Sequence, residues 1–312
     1  MDNAFTLYAV NLDKSGTGSD TFFDQLSDQS IAAGISEMLI GASGEVYNRF
    51  SGVGQQDPRI SFTTSKLATA LDAIGLNGVS FEKATGVTAL DLFFQAYAQG
   101  GIRGGAGTNL KLTMNKGILI PRTLTADQSG PGGLELEAIP TWDGTNDIVS
   151  IAKDQDLVGS PDVDEIFLAG PVSLNGTSLD SVISINVDFG ITLRGPIFSE
   201  GAVWAKFVAV ETTQPRITIT TLDLEAIHTL GISGSAQSAT DSLIYLVRAK
   251  EGGTREANGE SKHIKLAVGE GLIFVDREAG SQGSEGTADI IILPTYDGSN
   301  DPIVITTGSA IT

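Results

Sequence analysis

The chain contains two pairs of closely related motifs, and the members of each pair lie a similar distance apart. PTWDGTND at residues 140–147 recurs as PTYDGSND at 294–301, an offset of 154 residues. PRISFTT at 58–64 recurs as PRITITT at 215–221, an offset of 157 residues. Chance matches would not stay in one register, so the sequence predicts an internal duplication. Two fused copies of one unit usually surround an axis or extend an array, which favours assembly over catalysis.

Weaker matches set the boundaries of the two copies. LFF at 92–94 aligns with LIY at 243–245. We place the first copy at residues 1–151, a linker at 152–163 and the second copy at 164–312. The linker, AKDQDLVGSPDV, is polar and acidic. Each copy then has the usual size of a domain with a single core, roughly 100–150 residues.

Short segments of alternating polarity between glycine, serine and aspartate clusters predict a mainly β fold. Ile60 and Phe62 alternate with polar residues, and Ile217 and Ile219 do the same in the second copy. Each segment therefore has one face for the core and one for water. Further elements are predicted at matching positions: strands at 92–98 and 242–249, hairpin tips at 100–107 and 251–262, polar loops at 123–133 and 276–287, and final strands at 134–138 and 288–293.

We call the strands predicted for PRISFTT and PRITITT the PRI strands. After each of them, the spacing of apolar residues changes to that of a helix. In the first copy, Leu67, Leu71 and Ile74 share one helical face, and a matching pattern follows in the second copy. The sequence therefore predicts one short α-helix per copy. The expected caps and stops are Thr64 or Ser65 and Gly75 in the first copy, and Thr221 and Gly231 around Leu224, Ile227 and Leu230 in the second.

Composition excludes several classes of protein. The chain has no cysteine, so a disulfide framework, a zinc–thiolate site and a thiol nucleophile are excluded. Its net charge of -19 opposes tight binding of nucleic acid, which requires clustered Lys and Arg. The first residues lack the pattern of a signal peptide, and no apolar run approaches the roughly 20 residues that span a bilayer. We therefore expect a soluble protein made in the cytoplasm, without a membrane partner.

Catalytic motifs are missing from the sequence. The two histidines, His228 and His263, align with Leu71 and Asn109 of the first copy, which favours ordinary structural or surface roles. Nucleophile-elbow, zinc-protease and phosphate-loop motifs do not occur, and the glycine-rich segment 100–107 is better explained as a hairpin tip. We predict that the protein is not an enzyme and has no catalytic, cofactor or metal site.

The repeated DGTND and DGSND segments admit two interpretations. Their Asp and Asn oxygens could coordinate calcium, although the spacing is not that of an EF-hand. Asp-Gly followed by Ser or Thr and Asn is also typical of a tight turn, which we favour; cation binding stays open. Trp142 lies opposite Tyr296 in the repeat, which predicts a shared packing role. The oxygen-bearing residues are Asp143, Asn146 and Asp147 in the first copy and Asp297, Asn300 and Asp301 in the second.

The duplicated unit resembles the tail tube protein of long-tailed bacteriophages. The matching segments are PRISFTT and PRITITT, LKLTMNKGILIP and IKLAVGEGLIFV, and the PTWDGTND and PTYDGSND ends. The resemblance implies two tandem copies of a tail-tube-like β-sandwich or half-barrel, each with one short helix. In that family, stacked rings form a hollow tail, and members with a fused duplicate form trimeric rings of pseudo-sixfold symmetry. The chain departs from larger duplicated members in having no room for an immunoglobulin-like decoration domain.

The resemblance implies a virion tail protein that is assembled in the host cytoplasm and binds mainly itself. The implied partners are the tape measure, tail terminator and tail tip proteins, together with double-stranded DNA that passes without tight binding. We expect Asp and Glu side chains to line the channel, because like charges would keep DNA from adhering. We also expect the polar loops at 123–133 and 276–287, or the linker, to contact the adjacent ring.

Two other classes of protein fit the same sequence. A tandem β-sandwich adhesin, or a receptor- or carbohydrate-binding virion protein, would bind its ligand through tip loops and exposed aromatics. A head-decoration or connector protein would also be a structural component of a virion. Particle shape separates these alternatives, since rings or hollow filaments favour the tube and a glycan-binding monomer favours the adhesin.

Overall fold

The computed structural model describes residues 4–13, 21–83, 89–98, 101, 103–159, 162–198, 202–280 and 285–312. The predicted mainly β class is confirmed, since nearly all regular structure consists of antiparallel strands. The elements of the first half are β1 (Ala4–Leu12), β2 (Thr21–Phe23), β3 (Leu26–Ala32), β4 (Ile35–Gly41), β5 (Asn48–Gln56), β6 (Arg59–Thr64), α1 (Leu67–Ile74), β7 (Val79–Glu82), β8 (Leu90–Tyr97), β9 (Asn109–Met114), β10 (Lys116–Asp127), β11 (Gly133–Pro140) and β12 (Ser150–Gln155).

The second half continues with a similar order of elements. They are β13 (Phe167–Leu174), β14 (Thr177–Leu179), β15 (Val182–Asp188), β16 (Ile191–Phe198), β17 (Ala205–Thr213), β18 (Arg216–Thr221), α2 (Leu224–Leu230), β19 (Gln237–Ala239), β20 (Ser242–Lys250), β21 (Thr254–Arg255), β22 (His263–Val268), β23 (Gly271–Ala279), β24 (Thr287–Pro294) and β25 (Val304–Ser309).

Three larger sheets form the body of the molecule. A ten-stranded sheet runs through both halves in the order β19-β23-β24-β18-β15-β10-β11-β6-β3, and β7 also pairs with β10. A five-stranded sheet, β12-β9-β8-β1-β2, belongs to the first half. A six-stranded sheet, β14-β13-β20-β22-β25 with β21 on β20, belongs to the second. Strands β1 and β13 contact the ten-stranded sheet, so both smaller sheets pack against it as in a sandwich.

The alternation predicted for the PRI strands is confirmed. Ile60 and Phe62 of β6 are buried, as are Ile217 and Ile219 of β18, while their neighbours are partly exposed. The buried side chains of both halves form one continuous cluster. The core therefore extends across the boundary between the two predicted copies.

The strands predicted at 92–98, 134–138, 242–249 and 288–293 are confirmed as parts of β8, β11, β20 and β24. The predicted polar loops are wrong at their starts. Strand β10 continues to Asp127, because its last residues pair with β15 as well as with β11. Strand β23 continues to Ala279, and residues 281–284 of that loop lie outside the described part of the chain.

The predicted linker begins inside a strand. Residues Ala152 to Gln155 belong to β12, which pairs with β9 at the edge of the five-stranded sheet. Within the remaining linker, residues 160 and 161 lie outside the described ranges. The described part of the linker is hydrogen-bonded to the first half: the Gln25 amide donates to the Asp162 carbonyl at 3.0 Å, and the Tyr8 hydroxyl donates to the Gly159 carbonyl at 3.3 Å.

The two predicted helices are confirmed, but their caps differ from the prediction. Helix α2 has Asp223 as its N-cap, whose carboxylate accepts from the Ala226 N–H at 3.0 Å. Helix α1 has Lys66 at that position and no side-chain cap, so Ser65 is not a cap. Gly75 and Gly231 end the helices at positive φ, as predicted. Within the described parts of the chain, neither helix has the length and apolar character needed to span a bilayer.

Thr64 and Thr221 lie in the turns that precede the two helices. Both side chains are fully buried. The Thr64 hydroxyl accepts from the Lys66 N–H at 3.1 Å, and the Thr221 hydroxyl accepts from the Asp223 N–H at 3.0 Å. Each threonine therefore stabilises the turn between its strand and its helix rather than the first turn of the helix.

The ladders of the two halves carry the same irregularity at matching positions. In β10–β11 the register shifts between Pro121 and Thr123, and in β23–β24 it shifts between Val275 and Arg277. These positions differ by the same 154 residues that relate the PTWDGTND and PTYDGSND motifs. A bulge twists and bends its strand, so β10 and β23 have their irregular twist in the same place.

Candidate assembly surfaces

Two long β-hairpins separate from the main sheets. Hairpin one is β4–β5 and hairpin two is β16–β17, and each forms a two-stranded sheet of its own. Gly34 and Gly190 precede them at φ near +57° and +58°. A Cβ at either glycine would collide with the carbonyl oxygen of Asp57 or Gln214, so only glycine fits these turns. Sequence reasoning missed both hairpins.

Hairpin one exposes an unusual amount of apolar surface. Every residue of β4 is exposed, including Leu39 and Ile40, which are neighbours in the strand and point to opposite faces. A two-stranded hairpin is only marginally stable alone, and contiguous exposed apolar surface marks an interaction site. The exposed apolar residues of hairpin one are Ile35, Met38, Leu39, Ile40, Val46, Tyr47, Phe50 and Val53.

The tip of hairpin two is covered by the first half of the chain. The Gln56 N–H donates to the Val203 carbonyl at 2.8 Å, and the Trp204 indole N–H donates to the Gln56 side-chain oxygen at 2.6 Å. The Trp142 N–H donates to the Ala205 carbonyl at 2.7 Å, and the rings of Trp142 and Trp204 lie 6.2 Å apart. Hydrogen bonds and an aromatic contact therefore hold this tip against strand β5 and the PTWDGTND segment.

The tips of the two hairpins have related sequences. Residues 46–50 read VYNRF and residues 203–207 read VWAKF, which places Tyr47 opposite Trp204 at the 157-residue offset of the PRI motifs. In hairpin one, Val46 is 92% exposed and Tyr47 is 82% exposed. This second pair of segments is the signal that could have located the hairpins from sequence.

The ten-stranded sheet has two free margins among the described residues. Strand β3 pairs on one side with β6, and its other side has no described partner. Strand β23 pairs with β24 along its length, whereas β19 covers its outer side at residues 271–273. Residues 274–279 of β23 have no described partner strand on that side. Open edges present rows of N–H and C=O groups that pair readily with another strand.

A groove of about 330 Å³ lies between the β3 margin and the foot of hairpin one. Ile31 of β3 lines it and is 47% exposed, and Gln56 and Trp204 form part of its wall. The groove thus connects the free edge of the sheet with the place where the tip of hairpin two is held. Its remaining lining residues are Ala33, Pro58, Asp147, Ile148 and Val149.

The predicted shared role of Trp142 and Tyr296 is wrong for the single chain. Trp142 is half-buried against Trp204, and the Lys206 ammonium lies 4.9 Å from the centre of its ring. Tyr296 is 63% exposed. The reason is that the second half has no covered hairpin tip beside its tyrosine.

The DGTND and DGSND segments form two similar turns. The Asp143 carboxylate accepts from the N–H groups of Thr145 and Asn146, each at 2.8 Å, and from the Asn146 amide. Asp297 makes the matching bonds, with the Asn300 N–H at 2.6 Å. Gly144 and Gly298 adopt positive φ beside them. Among the described residues, no group of His, Asp or Glu side chains is arranged to hold a metal ion.

These turns stabilise the ionised form of both aspartates. Burial by itself raises the pKa of Asp143, but hydrogen bonds from the side chain and backbone of Asn146 and from the Thr145 N–H outweigh it and lower the pKa. The pKa of Asp297 is lowered chiefly by the side-chain hydrogen bond from Asn300, with the backbone N–H groups of Asn300 and Ser299 adding to it. The carboxylates therefore act as acceptors within their own turns.

His263 is a fully buried structural residue. Its Nδ1 accepts from the Arg248 N–H at 3.2 Å, so its Nε2 carries the proton and donates to the Ala257 carbonyl at 3.0 Å. Asn109, its aligned residue, accepts from the Ala96 N–H at 3.0 Å and donates to the Gly105 carbonyl of the following loop and to the Gln155 carbonyl of β12. Two different side chains therefore connect a strand to the following loop in the same way. His228 lies exposed in the last turn of α2.

The comparisons with known proteins identify no family. No protein-family model matches the chain, and no curated protein is significantly similar to it. Its function must therefore be argued from the surfaces described above.

Proposed function

We propose that the protein is a virion structural component that polymerises as stacked rings into a hollow phage tail tube. The observation that carries the proposal is the pair of free margins on the ten-stranded sheet, together with the uncovered apolar hairpin one. A sheet with open edges is completed by joining the edges of neighbouring subunits, and a closed ring leaves no edge unpaired. Trimeric rings of pseudo-sixfold symmetry are the form that two similar halves favour.

The acidic composition supports the same proposal. With 38 acidic and 19 basic residues, an assembled channel with acidic walls would let double-stranded DNA pass without tight binding. We propose that the tape measure protein occupies the channel before the DNA does, and that terminator and tip proteins close the two ends of the tube. An assembled structure with a basic or apolar channel wall would contradict the acidic lumen.

The alternative is a binding module of the adhesin or carbohydrate-binding kind. The exposed rings of Tyr47 and Phe50 on hairpin one are the observation in its favour. Against it stands Trp204, the residue matched to Tyr47, which is covered by protein within the same chain. Hairpin tips of this sequence therefore fit a protein surface better than a sugar.

Particle size and shape test the proposal. Purified protein should sediment as larger species with rising concentration, and negative-stain images should contain rings or hollow filaments with threefold or pseudo-sixfold end views. A monomer at all concentrations, with no ring or filament on the grid, would reject the tail tube. A monomer that binds a glycan would establish the alternative.

A further inference from the structure

The junction between the two halves provides a template for a contact between chains. Within the chain, the last residues of β10 pair with β15, from Thr123 opposite Asp188 to Asp127 opposite Ser184. The Phe189 N–H extends this contact by donating to the Arg122 carbonyl at 3.1 Å. Among the described strands, this ladder joins the two halves of the ten-stranded sheet.

Strand β23 is the counterpart of β10 at one free margin. Each strand pairs with the strand whose last residue is the first proline of a PTWDGTND or PTYDGSND motif. Gly117 of β10 lies opposite Pro140, and Gly271 of β23 lies opposite Pro294. Both carry the register shift at the same place, as described above. The residues of β23 that follow its bulge therefore match those with which β10 joins β15.

Strand β3 is the counterpart of β15 at the other margin. In β3, Leu26 lies opposite Thr64 and Gln29 opposite Phe62. In β15, Val182 lies opposite Thr221 and Ile185 opposite Ile219, which are the matched residues of the second PRI strand. The edge that β15 presents to β10 is therefore presented by β3 to solvent.

We propose that β23 of one chain pairs with β3 of a second copy in the register that joins β10 to β15. This places Arg277 opposite Ala32 of the second copy, Glu278 opposite Ile31 and Ala279 opposite Ser30. The inference rests on the proposed function only in requiring that the chain associates with itself. Each chain contributes one of the two margins, so the contact repeats head to tail.

The arrangement at the junction within the chain also predicts what the exposed tip of hairpin one contacts. Within the chain, the tip of hairpin two contacts Trp142 and Gln56. Their counterparts in the second half are Tyr296 and Thr213. The tip of hairpin one, with Tyr47, therefore lies against Tyr296 and Thr213 of the neighbouring chain. This contact covers two of the most exposed aromatic side chains at once.

Engineered disulfides test the register directly, because the chain has no cysteine of its own. The pair Ser30→Cys and Ala279→Cys lies opposite across the proposed junction and on one face of the sheet. Under mild oxidation, the double variant should form a ladder of covalent oligomers on a non-reducing denaturing gel. An equal mixture of the two single variants should form a covalent dimer and nothing larger, since each chain then offers one cysteine.

Two control variants show whether cross-linking reports the proposed register. Thr125→Cys with Asn186→Cys is the matched pair inside the chain, where the two residues are opposite and exposed, and it should form a disulfide without change in size. Ser30→Cys with Glu278→Cys moves one cysteine to the opposite face of its strand. Its yield of oligomers should be lower by about tenfold or more, because a disulfide requires a Cα separation of about 5–6 Å and facing Cβ atoms.

The outcomes separate this inference from the proposed function. Rings or filaments without a covalent dimer from the mixed single variants would overturn the proposed register and leave self-assembly standing. Equal yields from the Ala279 and Glu278 pairs would also overturn it. The absence of both assembly and cross-linking would overturn the register and the tail tube together.

Discussion

Hairpin one and hairpin two have related tip sequences but different surroundings. The tip of hairpin two is held by two backbone hydrogen bonds, an indole hydrogen bond and a tryptophan pair. The tip of hairpin one, with Val46 and Tyr47, faces solvent. One chain thus contains two related hairpin tips, one covered by protein and one exposed. The difference indicates what a neighbouring chain must supply.

The sheet margins give the same comparison at larger scale. Leu124 and Val187 lie opposite each other in the ladder between the halves, and both are buried. Their counterparts at the free margins are Glu278 and Ile31, which are both exposed. The proposed contact between chains is therefore less apolar than the junction inside the chain. Such a contact suits subunits that fold alone before they assemble.

The largest expected effect comes from a charged substitution at Val187, in the junction within the chain, compared with one at its counterpart Ile31 on the free margin. Val187→Lys buries an unpaired ammonium and should lower the free energy of unfolding by about 4 kcal/mol or more. Ile31→Glu should change it by less than about 0.5 kcal/mol, because this side chain is already half-exposed. It should nevertheless abolish assembly, because the proposed register places the new carboxylate opposite Glu278 of the next chain, and like charges directly opposite each other destabilise a strand pair. Chemical denaturation and sedimentation velocity measure the two effects. Normal assembly of Ile31→Glu would show that β3 is not a contact surface.

A second comparison uses the two hairpin tips. Trp204→Ala removes a ring contact and a hydrogen bond, so it should cost about 2–3 kcal/mol of unfolding free energy. Tyr47→Ala should leave monomer stability within about 0.5 kcal/mol and weaken self-association. Urea denaturation and sedimentation at matched concentrations check both outcomes. A large loss of monomer stability in Tyr47→Ala would mean that the tip is not bare in the isolated chain.

His263 and Asn109 test whether matched positions share a structural role. His263→Ala removes the acceptor of the Arg248 N–H and one of two donors to the Ala257 carbonyl, which keeps the Glu260 N–H, and it should cost about 2 kcal/mol. His263→Asn installs the residue of the first half and should recover at least about half of that loss. Thermal and urea unfolding give the comparison. Equal destabilisation by Ala and Asn would reject the shared role.

The smallest expected effect concerns the two aspartate turns. Their folded-state pKa values lie below the ordinary value of 3.8, so each turn contributes stability that is present above that value. The contribution is lost as the pH falls through the lowered pKa. Asp297→Asn and Asp143→Asn should therefore each make the fall in Tm between about pH 5 and pH 3 shallower. An unchanged slope in both variants would indicate that the turns form equally well when protonated.

The sequence predicted the elements whose local pattern is strong. The PRI strands alternate cleanly, and the apolar spacing of Leu67, Leu71 and Ile74 defined α1. Hairpin one escapes sequence reasoning because exposed apolar residues on both faces of β4 remove the alternation by which a strand is recognised. The polar residues at the end of β10 predict a loop from sequence, and they form a strand because they pair with β15.

Some features of the candidate surfaces could be predicted from local sequence, and others could not. The tight turns at Asp143 and Asp297 follow from local chemistry, because Asp, Gly and Asn at this spacing form the turn by themselves. The role of His263 could not be predicted from its alignment with Asn109, since two different side chains accept equivalent hydrogen bonds from backbone N–H groups of the adjacent strand. Neither residue type signals such a role locally.

The amino-acid sequence by itself determined the mainly β class, the positions of the two helices and the repeated motifs, because each depends on spacing within a short segment. Only the tertiary structure decided which strands lie at the margins and which hairpin tip is covered. Those properties depend on pairing between residues more than a hundred positions apart, such as Gln56 with Trp204. Local pattern carries no information on such a pairing until the whole sheet is in place.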